Sequence, residues 1–151
     1  MEKSHPAWKE RSIGDTAVDG LTAGLLAGLA MLLLLVLTGL ISGTLPAVTL
    51  GYFDPARGGS WLTGLLAHLA VSAIYGVFFA LLIHALSRSR PSFRRYSWLL
   101  GLVYGLTLQL LATGLIFKAV EAPLEHVDGW QLALAHLLYG LVLGYWLGKS
   151  R

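Results

Sequence analysis

The stretch VDGLTAGLLAGLAMLLLLVLTGLIS, residues 18–42, decides the fold. After Asp19 it carries no charged side chain. It exceeds the roughly 20 apolar residues that a helix needs to cross the hydrocarbon core of a bilayer. Three more segments have the same character: Trp61–Leu86, Tyr96–Phe117 and Trp130–Gly148. Lipid offers no hydrogen-bond partner to an open backbone, so each is read as a helix. The expected fold is an all-α integral membrane protein with four transmembrane helices. Residues 1–17 form an N-terminal segment, 18–148 the four-helix domain and 149–151 a short tail. The first apolar run is too long and starts too late for a cleaved signal peptide, and reads as a retained helix.

Composition agrees. Of 151 residues 56% are hydrophobic and only 13% charged, against about 25% charged in a soluble domain. The mean hydropathy is +0.68. There is no cysteine, which removes disulfides, thiolate metal sites and cysteine nucleophiles. The pI near 9.4 is a signal of topology. Lys3, Lys9, Arg11, Arg88, Arg90, Arg94, Arg95, Lys149 and Arg151 all fall on one side of the four spans, and only Arg57 and Lys118 on the other. The positive-inside rule then places both termini in the cytoplasm. Attraction to anionic lipid follows from the same charges; a nucleic-acid partner does not. Trp61, Tyr96, Trp98 and Trp130 lie at span ends, where an aromatic belt belongs.

The two halves of the chain resemble one another. Gly24-Leu-Leu-Ala-Gly28 and Thr38-Gly39-Leu40-Ile41 in the first span match Gly101-Leu-Val-Tyr-Gly105 and Thr113-Gly114-Leu115-Ile116 in the third. Ala67-His68-Leu69 and Tyr75-Gly76 in the second match Ala135-His136-Leu137 and Tyr139-Gly140 in the fourth. Each unit has two spans, so the expectation is two parallel two-helix repeats about an axis along the membrane normal. Gly20, Gly24 and Gly28 are spaced by four, as are Gly101 and Gly105, and Gly140, Gly144 and Gly148. Residues four apart share a helix face, and small residues there let helices approach closely in lipid. These stripes predict packing within the bundle, or against a second copy or other membrane subunits.

His68 stands seven residues after Trp61 and His136 six after Trp130. At 1.5 Å per residue both lie roughly 10 Å inside the outer interface. With Thr38, Gln109 and Thr113 they form a polar layer, and such groups inside a membrane are functional candidates. Three readings fit it. The first is interhelical hydrogen bonding, worth about 0.6–2 kcal/mol per contact. The second is axial ligation of haem b or a (bacterio)chlorophyll-type chlorin by His68 and His136, with neighbouring glycines making room for the macrocycle. The third is a solute path through a small channel or transporter.

The outer loop with Glu121, Glu125, His126 and Asp128 has oxygen and nitrogen donors but no metal-site spacing, and reads as a solvated acidic loop; no metal site is expected. Asp128 and Gln131 have capping-box spacing. Pro91 and Ser92 break the chain before the third span. The first outer loop, with Pro46, Tyr52, Phe53, Asp54, Pro55, Gly58 and Gly59, is long enough to fold onto the bundle or a partner. No nucleophile elbow, Walker, zincin or dinucleotide motif occurs, and no catalysis is expected.

The segment His68-Leu-Ala-Val-Ser72-Ala-Ile-Tyr-Gly76, with the Gly101–Gly105 span and Ala135-His136-Leu137, resembles the YagU-like family of small inner-membrane proteins of unknown function. The outer loops here are shorter than that family's. The resemblance implies a bacterial cytoplasmic (inner) membrane protein and carries no chemistry. The leading expectation is a non-catalytic structural or accessory membrane protein, a subunit of a larger complex.

Overall fold

The computed structural model describes residues 12–90, 92–116 and 127–149. Helix α1 spans Ile13–Ile41, α2 Pro46–Gly51, α3 Trp61–Ser89 and α4 Ser92–Arg95. Helix α5 runs over Ser97–Leu111 and continues through one π turn, Ala112–Ile116; α6 spans Gly129–Lys149. Among the described residues there is no strand. Four helices are long and apolar enough to cross a membrane. Pro91, Phe117, Lys118, Glu121, Glu125, His126 and the residues before Ser12 lie outside the described residues.

Hydropathy locates the lipid-crossing part of each helix, whereas capping locates its ends. Helix α1 starts five residues before the apolar run because Ser12 and Asp15 form a capping box. The Asp15 N–H donates to Ser12 Oγ at 3.0 Å, and the Ser12 N–H donates to the Asp15 carboxylate at 3.2 Å. The other end closes on Gly43, at φ +83°. There the Thr44 N–H donates to Gly39 O (2.8 Å) and the Gly43 N–H to Leu40 O (3.1 Å). This pair of bonds is the Schellman arrangement, which needs a left-handed residue at that position. Ser60 caps α3 by accepting from the Thr63 N–H. The π turn was not foreseen. Within it Thr113 Oγ1 donates to Gln109 O at 2.9 Å, a side-chain bond of the kind that perturbs a regular helix. The capping box expected at α6 takes another form. The Asp128 carbonyl accepts from the Gln131 and Leu132 N–H groups, but the Gln131 side chain reaches across to Ser42 Oγ at the end of α1, 3.1 Å away.

Helix α1 packs antiparallel on α3, and α5 antiparallel on α6; α1 also lies along α6. Helices α3 and α5 meet through larger side chains, with the Phe79 and Tyr104 ring centroids 4.9 Å apart. The start of α1 and the ends of α3 and α6 share one end of the bundle, since Thr16, His84 and Leu147 line one cavity there. The core runs from Ala23, Ala27, Met31 and Leu35 through Phe79 and Ile83 to Leu132, Tyr139 and Leu143. Only 22% to 44% of the most apolar window of each span is buried inside the chain. The outward remainder, with Leu33, Leu66, Phe78 and Leu110 about half exposed or more, is far more apolar surface than a water-soluble monomer presents. Lipid or other membrane chains must cover it. The protein is a multi-pass helical membrane protein.

The glycines decide how close the helices come. Gly76 sits between Gly20 and Gly24, and a Cβ on it would lie 2.5 Å from Gly24 Cα. Gly140 sits between Gly101 and Gly105, and a Cβ on it would run into the Gly101 carbonyl. By contrast a Cβ on Gly114 meets nothing within 4 Å. A Gly140→Ala chain is expected to lose about 1–3 kcal/mol through overpacking, while Gly114→Ala keeps its stability. Thermal unfolding of both in mild detergent checks this, and equal melting temperatures would remove the distinction.

The segment between α1 and α3 folds back onto the bundle. The Asp54 carboxylate accepts from the Ala56 and Ser60 N–H groups, each at 3.1 Å. The Ser60 bond above all, with help from Ala56 and against the effect of desolvation, holds the Asp54 carboxyl below the usual carboxylate range. A lowered folded pKa stabilises the loop above the unfolded value of about 3.9, and the contribution is lost as pH falls through the folded value. Hydrogen exchange of residues 51–60 is therefore expected to speed up in acid below about pH 4 beyond its intrinsic pH dependence, and Asp54→Asn is expected to abolish that excess.

Candidate functional site

The polar layer expected from the sequence is present as helix positions, but its members act differently. His68 is buried, at 7% exposure. Its Nε2 lies 3.0 Å from Gly28 O of α1 and 3.5 Å from Ser72 Oγ. An imidazole facing a carbonyl must donate, so Nε2 carries the hydrogen. The room for this bond comes from Gly28: a Cβ there would lie 2.5 Å from both Cβ and Oγ of Ser72. Phe53, from the folded-back loop, meets the His68 ring edge-on with centroids 4.6 Å apart. His68 thus joins α1, α3 and the loop.

Among the described residues His136 makes no such link. Its Nδ1 bonds to Leu132 O of its own helix at 2.8 Å, and it is only partly buried. Thr38 Oγ1 donates to Leu34 O (2.9 Å) and Thr113 Oγ1 to Gln109 O, both within one helix. The Gln109 Oε1 is buried without a hydrogen-bond partner. Of the five residues, His68 alone has a side-chain bond to another helix among those observed.

The two histidines also differ in register. His68 stands eight residues before Gly76, whereas His136 stands four before Gly140. Since Gly76 and Gly140 mark the two helix crossings, His136 occupies the place that Ser72 holds in the first pair, one helical turn away from the place of His68. The Ala-His-Leu match had set them level. Measured from the helix start they are, but measured from the crossing they are not.

The eight stripe glycines, Gly20, Gly24, Gly28, Gly101, Gly105, Gly140, Gly144 and Gly148, all face another helix of the same chain. Gly144 faces the Ser97 carbonyl and Gly148 the Ser97 hydroxyl. The stripes therefore close the hairpins, and a partner would meet other surfaces.

Three cross-links were missed in the sequence. Tyr139 of α6 donates its hydroxyl to Ser72 O of α3 at 2.7 Å. Tyr104 of α5 donates to Tyr75 O of α3 at 3.0 Å. Ser97 Oγ of α5 donates to Gly144 O of α6 at 2.8 Å. A signal existed: a tyrosine in mid-span must find an acceptor for its hydroxyl. Tyr139 had served only as a marker of the repeat.

The two imidazoles are unevenly suited to hold one macrocycle. His136 Nε2 is not engaged in an observed bond, but His68 Nε2 is bonded to Gly28, and the α1–α3 contact beside it is closed down to the Gly28–Ser72 approach. Ligation by both through Nε2 would require His68 to give up its bond to Gly28. Among the described residues no group of three acidic, histidine or cysteine side chains is placed to hold a metal.

No family model matches the chain, and no curated protein and no solved structure matches it either.

Loss of an interhelical hydrogen bond in lipid costs about 0.6–2 kcal/mol. Tyr139→Phe and His68→Ala are expected to destabilise the bundle by that order or more, whereas His136→Ala, which breaks only a bond within its own helix, changes it least. Comparison of the three melting temperatures in one detergent checks the ranking.

Proposed function

We propose that this protein is a non-catalytic structural or accessory subunit of a larger complex in a bacterial-type cytoplasmic (inner) membrane. The observation that carries this reading is the use made of the interior polar groups. His68, Ser97, Tyr104 and Tyr139 each bond to a backbone carbonyl of a different helix. They bind helix to helix, so these four side chains are committed to packing. The YagU-like resemblance is in keeping with such a protein.

In this reading both termini are cytoplasmic. Arg88, Arg90, Arg94, Arg95 and Lys149 gather at the bundle end that holds the start of α1, and Arg57 lies at the other, the asymmetry that the positive-inside rule describes. The chain is also two copies of one hairpin. Gly76 between Gly20 and Gly24 and Gly140 between Gly101 and Gly105 support a register in which Gly20 and Gly24 correspond to Gly101 and Gly105. That is one turn from the match of Gly24 and Gly28 suggested by the sequence. Partners, whether a second copy or other subunits, meet the outward apolar faces. The haem or chlorin reading and the channel reading draw less support, because His68 and the tyrosines are already engaged between helices.

The test is purification in mild detergent followed by cross-linking and mass measurement. The expected outcome is a species larger than one chain, with a defined stoichiometry. A lone, monodisperse monomer with no co-purifying partner would sink the proposal. A Soret or chlorin band that disappears in a His68→Ala/His136→Ala chain would replace it with the cofactor reading.

A further inference from the structure

A cleft of about 70 Å³ with mixed polar and apolar walls opens at the arginine-bearing end of the bundle, away from the His68 layer. Its polar walls are Thr16 and Asp19 of α1, His84 and Ser87 of α3, and Arg94 of α4. Ile83 and Leu147 supply an apolar side. The cleft therefore sits where the apolar spans give way to the basic loop, at the depth of lipid head groups. By the same measure one water needs roughly 10–15 Å³, so the cleft has room for several non-hydrogen atoms. That suits a compact polar head group.

The hydrogen-bonding characters of these walls are mixed. Arg94 is a permanent cation with donors only. The Ser87 Oγ is buried with no hydrogen-bond partner, so its hydroxyl is open to a new acceptor. Opposite in character are the acceptors. Thr16 Oγ1 donates to Ser12 O at 3.1 Å. With that hydrogen committed, the 3.4 Å approach of His84 Nδ1 to Thr16 Oγ1 is satisfied by an imidazole that donates from Nδ1. A neutral imidazole of that tautomer leaves Nε2 as an acceptor. The Asp19 carboxylate, whose two oxygens have lone pairs for more than one donor, is a second acceptor whatever else it bonds. A plain anion would meet Asp19, and a plain cation would meet Arg94. A ligand with both signs on a short arm satisfies both walls.

We propose that this cleft holds the head group of a zwitterionic phospholipid with a primary ammonium, with phosphate on Arg94 and Ser87 and ammonium on Asp19 and His84. A trimethylated ammonium has the same charge but cannot donate a hydrogen bond and is larger, so the cleft distinguishes phosphatidylethanolamine from phosphatidylcholine. The acyl chains then lie along the apolar outward faces of the spans.

Native mass spectrometry of the full-length chain, exchanged in detergent with phosphatidylethanolamine, phosphatidylcholine or phosphatidylglycerol, tests this. Charge-assisted hydrogen bonds predict about a tenfold preference for phosphatidylethanolamine over phosphatidylcholine, with one lipid retained per chain. Asp19→Asn is expected to erase that preference, and Ser87→Ala or Arg94→Gln to weaken retention of both zwitterions. Circular dichroism confirms that each variant keeps its helices; the wild-type selectivity stands as a test even where one does not. Equal retention of the three lipids, or a preference for phosphatidylglycerol, would overturn the proposal. Water-soluble glycerophosphoethanolamine serves as the second arm: displacement of the lipid by it at equal concentration would overturn the lipid assignment in favour of a soluble ligand of the same chemistry.

Discussion

The structure depends on backbone reaching backbone where α1 crosses α3. In lipid there is no hydrophobic gain from bringing two apolar helices together, and association rests on close packing and hydrogen bonds. Gly20, Gly24 and Gly76 remove the side chains that would hold the axes apart. Everything nearby follows from that approach. Ser72 comes so close to α1 that Gly24 meets its carbonyl and Gly28 its side chain. His68, one turn on, is then near enough to bond the Gly28 carbonyl. The same Ser72 carbonyl accepts from Tyr139 of α6, so three helices converge on one residue. The α5–α6 pair uses the same device at Gly101, Gly105 and Gly140, strengthened by the Ser97 hydroxyl on Gly144.

Much of the fold was legible because the membrane imposes its own length. An apolar run long enough to cross a bilayer is visible without any tertiary information, and the four spans were found that way. Their ends were less so. Residues 13–17 are not apolar enough to extend a hydropathy window, yet they are helical because Ser12 and Asp15 satisfy the first turn. The π turn at Ala112–Ile116 leaves no mark in hydropathy at all. At α6 the residue types of a capping box were present, but Gln131 found a better partner in Ser42, which no local rule includes.

The polar layer shows the same boundary. Position along a helix is a local property, so the depths of His68 and His136 could be read from their distance to Trp61 and Trp130. Which way each imidazole turns is not local. It depends on what stands opposite: a glycine beside His68 leaves a carbonyl in reach, while His136 settles on its own helix. The register of the two crossings decides that difference, and it lies in an offset of one turn that the ordered matches of the halves had hidden. The tyrosine cross-links were hidden for another reason, since the acceptor of a tyrosine hydroxyl lies on a different helix and no pattern along one span names it.

The joint between the two hairpins has a separate consequence. Each hairpin closes on contacts between spans that follow one another in the chain. The seam between hairpins is a different kind of surface, built from α1 against α6, from the aromatic contact of Phe79 with Tyr104 and from the Tyr139, Tyr104 and Gln131 side-chain bonds. Its contacts do not require that both sides belong to one polypeptide. Two chains can trade hairpins across it and lose no contact within either, the exchange that makes dimers from monomers without a new interface. Each half closes its own glycine crossing, and the shared core and the tyrosine bonds are what make one molecule of the two.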